Sequence, residues 1–379
     1  MKSATRTTST THHQPMNSQF HSPRPSLLTP GPRALAQSGF LLVATCCWLL
    51  TLAMPARAAT FNVKEFGAVG DDKTDNTAAF SKCIESVIAA GGGKMYLPDG
   101  VYRGRITIPP QGGPSWITVE IVGESEPTPV FGTIGNFPPT NDGTIVKSLE
   151  TSGSAVISAA SGSLYMGFSG VYVGIRNLSV RTYDNPGIGG IDLNHAAQCR
   201  LENVVVSTGV YNVQASQPTH GTTGLTTPAN NNAALTILRN VLVSGYNTGI
   251  AVNEHTDADN VVVASNIHGI KFNAANHASR FGRIGTYRNT HHVTVNGAHG
   301  FLIQQMNTEQ PGPGQTDPKS AWQTLVSDVN DPNNRGTGDI NYWVVVGNVG
   351  AVNTFTKNGG ANIRSRRIGA ASAPAPPGQ

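Results

Sequence analysis

Phe61-Asn-Val-Lys-Glu-Phe-Gly-Ala-Val-Gly-Asp-Asp-Lys-Thr-Asp-Asn-Thr-Ala-Ala-Phe80, continued ten residues later by Gly91-Gly-Gly-Lys-Met-Tyr-Leu-Pro-Asp-Gly-Val-Tyr-Arg-Gly104, reads as a strand, a polar turn, an amphipathic helix, a glycine stop and a second strand pair. Thr74 or Asp75 is expected to cap the helix. Phe80, Cys83, Ile84, Val87 and Ile88 recur at helical spacing, and Gly91 to Gly93 end it. Met95 and Leu97 then alternate with Lys94 and Tyr96 before the Pro98-Asp99-Gly100 turn. Asp71, Asp72 and Asp75 gather in one place, but acids ahead of a helix are ordinary capping chemistry and no metal is assigned to them.

Further along, an asparagine followed by alternating apolar residues keeps returning: Asn177-Leu-Ser-Val180, Asn203-Val-Val-Val206, Asn240-Val-Leu-Val243 and Asn260-Val-Val-Val263. A second element follows: Gly190-Ile-Asp-Leu193, Gly249-Ile-Ala-Val252, Gly269-Ile-Lys-Phe272 and Gly300-Phe-Leu-Ile303. The period is about twenty residues in the cleanest coils, which is the signature of a stacked solenoid. Strand alternation points Val241, Val243, Val261, Val263, Ile250, Val252, Ile270 and Phe272 inward. Ser179, Val205, Leu242 and Val262 then form an outward column that suits a covering loop or a subunit interface. Gln214 to Asn232 and Gln310 to Ser320 break the period and read as long loops. Tyr342-Trp-Val-Val-Val346 and Thr354-Phe-Thr356 read as closing strands.

In its residues the 61–104 stretch resembles the N-terminal cap of the pectate-lyase superfamily, which includes polygalacturonase-related and tailspike-like chains; the resemblance continues more loosely to about residue 305. It implies an all-β, right-handed single-stranded parallel β-helix with a short N-terminal capping helix, and action on a polysaccharide. The repeat points to the same fold. The polygalacturonase series Asn-Thr-Asp, Asp-Asp, Gly-His-Gly, Arg-Ile-Lys is not present in order. Ala298-His-Gly300 and Arg283-Ile-Gly285 are partial echoes, and the Arg-x-Pro-x-x-Arg pattern of calcium pectate lyases is missing. No site residue is therefore carried over from the family.

Residues 40–54 form one apolar run, preceded by Arg24 and Arg33 and closed by Ala56-Arg57-Ala58. That is the layout of a secretory signal, which makes residues 1–58 a leader, with Met1 or Met16 as its start, and the product secreted or periplasmic. Residues 59–368 are then the β-helix domain: 59–104 the cap, 105–340 the coils, 341–368 the closing strands. An Ala/Pro-rich tail expected to be disordered occupies 369–379. The leader holds five basic and no acidic residues, leaving 21 basic against 22 acidic beyond residue 58. The basic balance thus belongs to the leader, so neither nucleic acid nor, after cleavage, a membrane is an expected partner. Cys83 and Cys199 are expected to be two separate buried thiols.

Aligning the coils on the Gly-apolar-x-apolar strand brings His195, Glu254, His255, Asp257, His277, Arg280 and Glu309 onto one strip, with Asp192 just before it. Glycoside hydrolysis needs one carboxyl as acid and a second as nucleophile or base. The expected catalytic set is Glu254 or Asp257 paired with Glu309, roughly 9–10 Å apart at two strand spacings, a separation that suits inversion. Asp192, His195, His255, His277 and Arg280 are expected to bind sugar. Adjacent strand residues face opposite ways, so His291-His292 is not read as a ligand pair. The expected function is a secreted glycoside hydrolase without a cofactor, acting on a polysaccharide or oligosaccharide, with apolar stripes able to pair into a homo-oligomer. A rival is β-elimination or C5-epimerisation of a uronic-acid polymer. It would use Arg280, Lys271 or His277, with Ca²⁺ held by Asp257 and Asp259. The other rival is a non-catalytic glycan-binding or adhesin solenoid.

Overall fold

The computed structural model describes residues 58–111, 116–127, 143–149, 153–162, 170–182, 187–208, 220–229, 235–276, 278–287, 289–296, 298, 300–309, 324–328, 337–345, 354–357 and 362–367. Apart from Ala58, the expected leader lies outside these residues, as does the Ala/Pro tail. Two parallel sheets, one of 14 strands and one of nine, wind around a shared core. This is the right-handed parallel β-helix expected from the cap and the repeat. Each coil contributes one long strand to the larger sheet and one short strand to the smaller.

The long strands carry the repeating asparagine at their centre. In Gln198–Ser207, Leu201 and Val204 are both buried with two residues between them, so the alternation slips by one at Asn203. The slip is a left-handed residue: Asn177, Asn203, Asn240 and Asn260 have φ of 53, 55, 54 and 53°. Asparagine tolerates that region better than most side chains. Their amides form a ladder along the solenoid: Asn203 Nδ2 donates to Asn177 Oδ1 at 3.1 Å, Asn240 to Asn203 at 2.9 Å and Asn260 to Asn240 at 2.7 Å. In the next coil the ladder ends on Arg283, whose Nη2 donates to Asn260 Oδ1 at 2.6 Å. Each of these four long strands therefore has two legs that meet at its asparagine.

The inward positions expected from alternation are all buried, Val241, Val243, Val261, Val263, Ile250, Val252, Ile270 and Phe272 among them. Phe272 of the short sheet stacks on Phe301 at 4.3 Å and meets Phe281 edge-on at 5.4 Å, both from the long sheet, so one core joins the two. The helix α1 (Thr77–Ala89) packs Phe80, Cys83, Ile84 and Val87 against the N-terminal strands. Its N-cap is Asn76, not Thr74 or Asp75. Asp75 accepts from Thr77 N at 2.9 Å, while the buried Asn76 side chain ties Val69, Thr74 and Arg103 together. Cys83 and Cys199 are separate buried thiols, each pushed up to about 12 by burial.

The sequence reading missed one coil and displaced another. His220–Thr226, inside the stretch expected to be a loop, is a strand of the short sheet between Ile191–Asp192 and Tyr246–Val252. Gly224 has no side chain to reveal the pattern, and a Cβ there would lie 2.3 Å from Val243 Cγ1. Gly300-Phe-Leu-Ile303 belongs to the long sheet, with Phe301 opposite Ser279 and Ile303 opposite Phe281. The short strand of that coil is His291–Val295. Strands at Thr337–Val345, Thr354–Lys357 and Asn362–Arg367 continue the two sheets. The outward Val205–Leu242–Val262 column walls a cavity of about 410 Å³ with Glu126 and Pro127, and Asn203 Nδ2 donates to Glu126 Oε1 at 2.7 Å.

Candidate functional site

Outward side chains of the two sheets point away from the shared core in different directions, so the expected single strip divides. Asp257 and Arg280 lie on the first leg of the long sheet, directly opposite each other in register. Arg280 Nη1 and Arg239 Nη2 each donate to one oxygen of Asp257 at 2.9 Å, and Arg280 Nη2 reaches Gln304 Oε1 at 2.8 Å. With each oxygen held by a guanidinium group, Asp257 is the centre of an ion-pair chain. Asp259 stands two residues on, its Oδ1 accepting from the Arg283 amide at 2.9 Å. That amide, with help from Arg239 and Arg280, holds its carboxyl below the usual range. Ringed by arginines, Asp257 and Asp259 do not fit a calcium ion. Among the described residues no three His, Cys, Asp or Glu side chains gather as a metal site.

Glu254 and His255 occupy the corner between the sheets. The Glu254 carboxylate is buried and sits 3.3 Å from His255 Nδ1, while its backbone N–H donates to Pro228 O at 3.0 Å. His195 lies at the equivalent corner near the Asp192 end of the short sheet, and Asp192 accepts from Asn194 N at 3.0 Å in a local turn. The expected partnership of these acids with Glu309 does not form. In register, Asp257 meets Arg280 and then Leu302, whereas Glu309 pairs with Tyr287 at the far end of the second leg. Glu309 is seven strand positions beyond Leu302, roughly 23 Å along the chain at the strand rise. The cause is the displaced coil: Gly300-Phe-Leu-Ile303 has the alternation of a short-sheet strand but sits in the long sheet. His277 lies outside the described residues.

What the sequence reading did not single out is a histidine pair on the short sheet. His268 opens the strand His268–Phe272 and His291 opens His291–Val295, opposite each other in register. Their rings stack 5.0 Å apart and 14° from parallel, and His268 Nδ1 is 2.8 Å from Thr294 Oγ1. Burial, with smaller contributions from His291 and Lys271, lowers His268 from its ordinary value to about 4, and burial also lowers His291. Both imidazoles are therefore neutral at neutral pH. Lys271 pairs with Thr294 and lies near enough to influence His268. As expected, His292 points away from His291, and it is fully buried. The available signal was that both histidines stand at the first position of a short strand, one coil apart.

Residues 60–306 match the family described as Rhamnogalacturonase A/epimerase, pectate lyase-like. Mannuronan C5-epimerase AlgE3 of Azotobacter vinelandii is 58% identical over 43 residues, which are 11% of this chain and 2% of that protein. Alginate lyase 7 of the same organism is 56% identical over 43 residues, 11% of this chain and 5% of that one. The chain thus spans only a few per cent of the length of these two relatives. Among solved structures, a point mutant of DFA-IIIase from Arthrobacter chlorophenolicus A6 superposes with a TM-score of 0.50 at 12% identity, covering 84% of this chain and 86% of the other, a likeness of fold alone. With the cap helix and all four asparagine-centred strands inside the matched span, the chain belongs to the rhamnogalacturonase A/epimerase, pectate lyase-like family of carbohydrate-active parallel β-helices.

Proposed function

We propose that the chain acts on a uronic-acid polysaccharide by removing the C5 proton, the first step shared by β-elimination and C5-epimerisation. The observation that carries this reading is the neutral His268–His291 stack beside Lys271 on the outward face of the short sheet. A C5 proton is removable only when the adjacent carboxylate is neutralised and a base is in reach. Lys271 supplies the cation. With the Nδ1 proton of His268 donated to Thr294 Oγ1, Nε2 presents a lone pair. The incoming carboxylate favours the charged imidazole and so strengthens the base when substrate is bound. In elimination, Nε2 takes the C5 proton, the electron pair forms the C4=C5 bond, the C4–O bond breaks, and the imidazolium returns the proton to the leaving oxygen. The similarity to an epimerase and a lyase agrees with this class, though it covers too little of those proteins to carry it.

Glycoside hydrolysis has less support, since the expected pairing of Asp257 with Glu309 does not form. Asp257 is held by two arginines, Asp259 is held ionised, and Glu309 is distant in register. The test is to incubate the purified protein with alginate and with polygalacturonate, with and without EDTA. Reducing ends, the absorbance of a C4=C5 bond and the proton NMR of the sugar would be followed together. New unsaturation or inverted C5 centres, lost in His268→Gln, are expected. New reducing ends with neither would overturn the reading, and loss on chelation would transfer the role of Lys271 to a metal.

A further inference from the structure

The first leg of the long sheet carries a cleft on the outward side, away from the short sheet. It encloses about 390 Å³, within the usual range for small-ligand sites, and Glu120, Tyr172, Arg176, Arg200 and Leu235 are among the residues lining it. The opening comes from one residue. Glu120, Gly174, Arg200 and Ile237 form a single outward column in register, and Gly174 leaves a gap where its neighbours carry side chains. A Cβ there would lie 3.2 Å from Glu120 Cγ. Trp116, 44% exposed, stacks on Tyr172 with ring centroids 5.3 Å apart and 17° from parallel, and Leu235 is 46% exposed. Leu235 at the cleft wall and the Trp116–Tyr172 stack thus leave apolar surface open to water on this face.

The polar groups have a directional arrangement. Glu120 is held by Arg176 at 2.7 Å and faces Lys94 at 3.9 Å. Arg200 touches Glu202 at 3.4 Å, but its side chain is 57% exposed, so most of its five donors remain available. Tyr172, its ring backed by Trp116, and the largely exposed Arg200 fork both line the cleft, and together they match one ligand chemistry: a pyranose ring whose C–H face covers the aromatic while its carboxylate takes the fork.

We infer that this cleft is a second, non-catalytic binding site for an acidic sugar of the polymer. It would hold the chain against a face of the solenoid separate from the His268 face. The inference rests on the family being carbohydrate-active, and not on the proton-abstraction chemistry.

Calorimetric titration with tetragalacturonate, tetramannuronate and the neutral cellotetraose tests it, using the wild type, Trp116→Ala, Arg200→Gln and His268→Gln. One component of the isotherm with an acidic tetrasaccharide should weaken at least tenfold in both cleft variants and persist in His268→Gln. Urea midpoints close to wild type would show that the variants fold. Unchanged binding in Trp116→Ala and Arg200→Gln, equal affinity for cellotetraose, or no binding of either acidic tetrasaccharide would overturn it. If His268→Gln loses turnover while the cleft component is absent, the cleft alone falls; if it keeps turnover while the component is present, the proton-abstraction reading alone falls.

Discussion

Replacing Asn240 by alanine should destabilise the solenoid more than replacing it by glycine, the reverse of the order at an ordinary strand position. Asn240 has φ of 54°, donates to Asn203 at 2.9 Å and accepts from Asn260 at 2.7 Å. Either substitution removes both amide bonds, which at this exposed ladder amounts to about 1–2 kcal/mol together. Alanine must in addition enter the left-handed region, at about 1–2 kcal/mol. Glycine enters it freely but loses more chain entropy, about 0.5–1 kcal/mol. The totals are about 2–4 kcal/mol for alanine and about 1.5–3 kcal/mol for glycine. Urea denaturation followed by far-ultraviolet circular dichroism, with unchanged m values, measures both. Ile237→Ala and Ile237→Gly, on a neighbouring outward strand position, supply the control in which glycine is the worse of the pair. If glycine is as damaging as alanine at Asn240, left-handed strain does not set the cost there and the argument from φ fails.

His268→Gln, which keeps a hydrogen-bonding side chain beside Thr294, should lower turnover of a uronic-acid polymer by about 10²–10⁴-fold, the usual worth of a positioned base; retained turnover would remove His268 from the chemistry. Because burial lowers His268 to about 4, the unfolded chain binds its proton more readily than the native one. The stability it confers is thus complete above pH ~6.5 and lost as the pH falls through about 4. After allowance for its partial exposure, wild type should lose about 1–2 kcal/mol more than His268→Gln in that window, read from urea midpoints; equal losses would refute the assignment. Asp257→Asn and Glu309→Gln should each leave turnover within about threefold of wild type, an order far below the loss of a catalytic acid or base, and loss of activity in both would restore the carboxylate pair. Arg280→Gln should cost no more than about 1 kcal/mol, as befits an exposed ion pair, and a larger drop in the urea midpoint would show that the Arg239–Asp257–Arg280 chain is a structural clamp.

The amino-acid sequence by itself determined the cap, the coil period and the identity of the inward residues, because each depends on local spacing. The 61–104 cap is one short continuous segment, and Val241, Val243, Ile250 and Ile270 follow the two-residue alternation that any strand imposes. Tertiary structure decided which leg each strand joins. Gly269-Ile-Lys-Phe272 and Gly300-Phe-Leu-Ile303 have the same alternation, yet they stand in different sheets. A shift of coil phase moves every outward side chain to another face, which separated Glu309 from Asp257 and left His268, His291 and Lys271 together. The left-handed asparagines were visible as a repeat, but their meaning appeared only when stacking joined residues 20 to 37 positions apart through their amides. Local chemistry fixes which residues can make a coil. The pairing of one coil with the next sets which residues share a surface, and that depends on long-range hydrogen bonds no short segment contains.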